Sequence, residues 1–190
     1  MITNENARRI FLAVEPPVGV KELVETLKGH IPIHQSLKWM RFYNIHLTVY
    51  FIGNIDTVHY HEIVEECAFV FSSVGSFRLE FDKIVQMPSV KPRMIWARYK
   101  VSDEFTFLYH QLHERLKPYL KSSAYVYDKP VPHITLARFH GFKSDIFSDV
   151  FENLLLPDMH ISKVGIWETV NKNGQSDYVQ NNEMFYLTVP

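Results

Sequence analysis

The stretch "NIHLTVYFIGN" at 44–54 sets His46 and Thr48 two apart in an apolar run, and "VPHITLARFHG" at 131–141 repeats the phrase with His133 and Thr135. In an extended strand, side chains at i and i+2 share a face. Ile45, Leu47, Val49 and Phe51 are therefore predicted to point one way, and His46, Thr48 and Tyr50 the other. In the second phrase Ile134 and Leu136 are predicted on one face, His133 and Thr135 on the opposite one. Each strand then has a greasy side for a core and a polar side presenting an imidazole beside a hydroxyl. Polar groups in such a setting need partners, from protein, water or ligand.

The surroundings of the two phrases also match. "RIFLAV" at 9–14 and "RMIWAR" at 93–98 read as short strands, each opening on Arg. Val20, Leu23, Val24 and Leu27 follow the first with the spacing of an amphipathic helix. Phe105, Leu108, Leu112, Leu116 and Tyr119 follow the second, with Ser102 as N-cap and Asp103 and Glu104 favouring the positive end of the helix dipole. Each helix leads into a His-x-Thr strand. A further helix is predicted at 63–71 and a shorter one near 146–151, with finishing strands at 76–85, 159–169 and 184–189. Strand, helix and His-x-Thr strand thus occur twice at nearly equal spacing. Internal duplication accounts for this: repeats at about 8–71 and 92–151 within a single bilobal domain spanning 1–190, its two lobes related by a pseudo-twofold.

Composition narrows the class without naming a chemistry. A hydrophobic content of 46% with 22% charge is ordinary for a folded globular chain. Charge interrupts every apolar stretch, so no membrane span is expected, and the opening residues lack the apolar core of a secretory leader. The single cysteine, Cys67, favours a reducing, cytoplasmic setting and reads as part of a helix's apolar stripe. A formal charge of −1 argues against general binding of long duplexes, but not against a small phosphate-bearing ligand.

The polar faces suit one chemistry in particular. Displacement at a phosphate ester needs one group to take a proton from the attacking oxygen and another to protonate the leaving oxygen. Histidine can do either near neutrality. Thr hydroxyls can donate to the non-bridging oxygens. Two facing His-x-Thr pairs supply a base, an acid and two phosphate anchors, with no need for a metal or cofactor.

On these residues the chain resembles the two-histidine phosphoesterase superfamily, whose signature is a pair of His-x-Thr-x motifs, here His46-Leu47-Thr48-Val49 and His133-Ile134-Thr135-Leu136. The closer resemblance is to the RNA 2′,3′-cyclic phosphodiesterase branch, also called the 2′–5′ RNA ligase family. It rests on "RIFLAVEPP", "NIHLTVYFIGNI", "PRMIWARY", "VPHITLARF" and the late "VGIWET". The resemblance implies a bilobal α+β fold, two lobes of mainly antiparallel sheet with outer helices around a central cleft. It implies hydrolysis of RNA-terminal or nucleoside 2′,3′-cyclic phosphates to 2′-phosphates, with reversible 2′–5′ joining by the same groups. His46 would protonate the departing 3′-oxygen, His133 would activate water, and Thr48 and Thr135 would hold the phosphate. The family also tends to place an aromatic five residues after the first motif His and an Arg five after the second. These fall on Phe51, a base-stacking candidate, and Arg138, a phosphate-binding candidate. Strand parity puts both on the wrong face, so a bulge or strand end must intervene for either to reach the cleft. Tyr50 stands on the predicted cleft face where the family often has Lys or another polar residue, a departure that bears on substrate preference.

Other features are weaker. His59 with His61, and His110 with His113, lack the cluster of carboxylates or thiols that would complete a metal site. The run through Lys83, Lys91, Arg93, Arg98 and Lys100 is basic enough to guide an RNA end, but equally suits a solvated sheet edge. "NKNGQSDY" at 171–178 carries an Asn-Gly hairpin signal. No obligate protein partner is implied. Two rivals stay open: another two-histidine phosphoesterase, acting on 2′–5′ oligoadenylate or ADP-ribose cyclic phosphate, and an RNA-end-binding module without turnover.

Overall fold

In a computed structural model that describes residues 7–30, 37–120, 126–139, 154–172 and 175–189, the apolar runs become strands and the helical stripes close over them. In chain order the elements are β1 (Ala7–Val14), α1 (Val18–His30), β2 (Leu37–Trp39), β3 (Leu47–Asp56), α2 (Tyr60–Ser73), β4 (Phe77–Leu79), β5 (Phe81–Met87) and β6 (Met94–Tyr99). They continue with α3 (Asp103–Leu116), β7 (His133–Phe139), β8 (Met159–Ile161), β9 (Lys163–Lys172) and β10 (Gln175–Tyr186). The helix predicted near 146–151 and the Asn173-Gly174 turn lie outside the described residues.

The main sheet runs β10-β9-β1-β3-β7-β6-β5, with every neighbour antiparallel. Outward from the β3–β7 seam the order is the same on both sides. The strand preceding α1 flanks β3, and the strand preceding α3 flanks β7. This is the antiparallel α+β architecture that the family resemblance implies. The predicted strand at 76–85 divides, because β4 turns away to pair with β8 in a separate two-stranded sheet while β5 joins the main one. β10 is longer than expected, a twelve-residue strand folded back on β9 as a hairpin.

The helices are held as their stripes require. Val20, Val24 and Leu27 of α1 are buried, as are Phe105, Leu108, Leu112 and Leu116 of α3, and Cys67 lies fully inside on α2. Ser102 caps α3, its hydroxyl accepting from the Phe105 amide at 3.2 Å. No helix among the described residues is long and apolar enough to cross a membrane.

The two lobes of the sheet touch through a narrow seam. β3 meets β7 at a single residue pair, Leu47 with Ile134, both fully buried. β3 begins at that pair, and further along β7 its neighbour is β2, which sets Leu37, Lys38 and Trp39 against Phe139, Arg138 and Ala137. Truncating the seam leaves a cavity that rigid strands on both sides cannot fill. Leu47→Ala is expected to destabilise the fold by about 2–5 kcal/mol, the usual cost of a Leu→Ala cavity, as read from urea unfolding midpoints.

Candidate active site

The seam sets the site. In an antiparallel register, pairing Leu47 with Ile134 brings His46 level with Thr135 and Thr48 level with His133. Both imidazoles and both hydroxyls line one cleft on the sheet face away from the core, and Phe51 and Arg138 line it with them. The last two reach it through matching irregularities. Where β1 pairs with β3, Leu12 opposes Tyr50 and Ala13 opposes Thr48, leaving Val49 as an extra residue. Where β6 pairs with β7, Ile95 opposes Ala137 and Trp96 opposes Thr135, leaving Leu136 extra. Each bulge falls on the fourth residue of its His-x-Thr-x motif and reverses the alternation after it.

The first bulge corrects the parity of two residues. Phe51 turns into the cleft at 48% exposed, stacked on Phe11 at 6.4 Å between centroids, with the Arg9 guanidinium 5.1 Å from its ring. Tyr50 leaves the predicted cleft face and is buried, because the bulge turns it towards α3. Its hydroxyl lies 2.8 Å from His113 Nδ1 and its ring packs on Tyr109. A second register shift near Ile10 is followed by Gly53 at φ 90°, a conformation that favours glycine.

The two histidines are held alike. His46 Nδ1 lies 2.7 Å from the Asn44 carbonyl and His133 Nδ1 2.9 Å from the Val131 carbonyl. A carbonyl oxygen can only accept, so each Nδ1 carries the proton and each Nε2 is left as the basic nitrogen. Each ring also packs on aromatic faces. His46 sits among Phe11, Trp167 and Tyr178, with centroids 4.9, 5.4 and 5.0 Å away. His133 stacks on Trp96 at 3.6 Å and an interplanar angle of 18°. The only sequence signal for these aromatic partners is the place of Trp96 in the "RMIWAR" run, within the basic stretch, and of Trp167 in the "VGIWET" run.

Packing of this kind strips water from the imidazoles and disfavours their charged forms. Burial pushes His46 down from 6.5 to about 4. The charges of His133 and Arg138 add to the fall, and the hydrogen bond to Asn44 opposes it. His133 is lowered too, by burial first and then by Arg138, against its bond to Val131. The Arg138 charge is therefore felt at both rings.

Three further histidines are engaged elsewhere. His59 lies 3.0 Å from Glu62, His61 is 3.2 Å from Glu65, and His110 Nε2 is 3.1 Å from the Asp128 carbonyl. Among the described residues no three His, Cys, Asp or Glu side chains gather as metal ligands. The basic run is partly neutralised: Arg98 pairs with Asp82 at 2.5 Å and Lys100 with Glu80 at 2.6 Å.

A family model, the 2′-5′ RNA ligase superfamily, matches residues 45–173. Among curated proteins, the RNA 2′,3′-cyclic phosphodiesterase of Aquifex aeolicus (strain VF5) is 23% identical over 137 residues, covering 70% of this chain and 72% of that one. The protein of the same name from Thermotoga maritima is 26% identical over 161 residues, 81% of each chain. Among solved structures, TT0787 of Thermus thermophilus superposes with a TM-score of 0.76 at 21% identity, over 94% of this chain and 97% of that one. E. coli LigT complexed with 3′-AMP gives 0.71 at 17% identity, over 96% and 99%.

The lowered histidines also link stability to pH. His46 binds a proton more weakly folded than unfolded, so its contribution is complete above 6.5 and is lost as pH falls towards about 4, and His133 acts in the same direction. The thermal midpoint is expected to drop across that window, and His46→Gln to flatten the drop. A variant as pH-sensitive as the parent chain would place the effect elsewhere.

Proposed function

Because this chain belongs to the 2′-5′ RNA ligase superfamily, we propose that it hydrolyses 2′,3′-cyclic phosphates at RNA ends or on nucleosides, by two-histidine acid–base catalysis and without a metal. The observation that carries the proposal is the pair of imidazoles on one cleft, each with Nδ1 tied to a carbonyl and a Thr two residues on. The names of the A. aeolicus and T. maritima relatives support the substrate class. Support for two repeats, about 8–71 and 92–151, making one bilobal domain comes from the strand order about the seam.

In the forward reaction, water enters on the His133 side and gives a proton to His133 Nε2 as its oxygen bonds to phosphorus. The bond from phosphorus to the 3′-oxygen breaks on the opposite side, and that oxygen takes the proton carried by His46 Nε2. The product is a 2′-phosphate with a free 3′-hydroxyl, and solvent exchange restores the two protonation states. Thr48 and Thr135 donate to the non-bridging oxygens, Arg138 offsets the developing charge, and Phe51 offers its face to the base. With a nucleoside hydroxyl in place of water, the same steps give a 2′–5′ link. A phosphate seated between the rings favours proton uptake by His46, against the burial that lowers its affinity.

The test is turnover of RNA ended by a cyclic phosphate, with product analysis. A 2′-phosphate product is expected, and a 3′-phosphate would reverse the identity of the leaving oxygen. His46→Ala and His133→Ala are each expected to cut kcat by about 100-fold or more, the scale of losing a general acid or base. EDTA is expected to leave the rate unchanged. Activity lost to EDTA and restored by a divalent ion would overturn the metal-free route. Since both histidines are lowered, kcat/KM is expected to peak on the acid side of neutrality and to fall as rising pH removes the proton that the pair shares. A maximum at alkaline pH would overturn the role assignments.

A further inference from the structure

The carbonyl that orients His46 belongs to a residue whose own side chain is pinned from the far end of the sequence. Asn44 closes the short turn Phe42–Asn44 ahead of β3, and its side chain is 4% exposed. Its Nδ2 donates to Asp177 Oδ1 at 2.6 Å, and its Oδ1 accepts from the Tyr178 amide at 3.2 Å. Asp177 is 6% exposed, with its second oxygen 3.8 Å from the Arg41 guanidinium. A buried carboxylate persists only where its oxygens are satisfied, and here the partners are Asn44 and Arg41. The next residue along β10, Tyr178, sets its ring edge-on against His46 at 5.0 Å. One step of β10 therefore fixes the His46 carbonyl partner through Asn44 and packs the imidazole itself.

Among the described residues, His133 has no counterpart to this clamp. Its carbonyl partner, Val131, is 38% exposed, on a segment tied to α3 by Tyr127 N donating to the Tyr109 hydroxyl at 3.4 Å and by His110 at the Asp128 carbonyl. The two imidazoles are thus oriented alike but anchored by different means.

We propose that Asp177 is a positioning residue. Through Asn44 it holds the Asn44 carbonyl where it keeps His46 in the Nδ1–H tautomer with Nε2 directed to the phosphate. The effect on rate rests on the hydrolytic function proposed above; the effect on the tautomer does not. Misplacement of a reacting group by a fraction of a bond length costs rate while leaving binding largely intact.

The experiment compares Asn44→Ala, Asp177→Ala, Asp177→Asn and the Asn44/Asp177 double alanine variant on a nucleoside 2′,3′-cyclic phosphate. It is paired with ¹⁵N spectra of the histidine rings without substrate. Each alanine change is expected to lower kcat about 10-fold with KM within about twofold, and the double change to cost no more than the worse single one. Asp177→Asn, which keeps an oxygen for Asn44 to donate to, is expected to recover most of the loss. The His46 ring signals are expected to move from a protonated Nδ1 towards mixed tautomers in the alanine variants, while those of His133 stay put. Multiplying losses, equal shifts at His133, or Asp177→Asn falling as far as Asp177→Ala would overturn the proposal. Should the alanine variants fail to fold, Asp177→Glu moves the carboxylate by one methylene and is expected to give the same tautomer shift; unchanged His46 signals there overturn it. Parent protein that does not turn over the substrate defeats the hydrolytic function, and the ring spectra still decide the clamp.

Discussion

A single backbone pairing, Leu47 against Ile134, governs the geometry of the cleft. It is the one rung at which β3 and β7 meet, and both side chains are fully buried beneath it. Above the rung, His46 stands beside Thr135 and Thr48 beside His133. The cleft lies over this rung, on the sheet face away from the core. No rung at all would have left two lobes free to set the imidazoles at any separation.

From this seam the matched bulges follow in importance. Side-chain alternation alone would send the residue five places after each histidine into the core. An extra residue at Val49 and another at Leu136 bring Phe51 and Arg138 round to the cleft instead. The same irregularity turns Tyr50 away, to be buried against α3 with its hydroxyl at His113. Both motifs therefore carry a geometric device as well as two chemical groups. The aromatic packing then acts on the chemical groups: it removes water from the rings, favours their neutral forms and leaves the arriving phosphate to restore charge.

Much of this was legible in the sequence because it is local. Apolar spacing marked α1 and α3, Ser102 marked the start of α3, and the duplicated phrases marked β7 with His133 and Thr135 and β3 with Thr48, His46 standing just ahead of it. The bulges could only be required, not located, because they carry no side-chain signature: Val49 and Leu136 look like ordinary strand residues. β2 is three residues long, too short for alternation to register. The strand predicted at 76–85 split because which sheet a short segment joins is set by distant partners. The Asn44–Asp177 contact spans 133 positions, and neither residue differs in type from those of a surface turn. Contacts of that separation become visible only once the sheet order is known.

The indoles beside the imidazoles have a further use. Trp96 lies flat on His133 and Trp167 leans on His46, while the third tryptophan, Trp39, lines the same cleft from β2. A protonated imidazole quenches a neighbouring indole more strongly than a neutral one. The emission of the native chain is thus an optical record of which ring holds the proton, and replacing Trp96 or Trp167 by Phe would assign that record to one half of the molecule or the other.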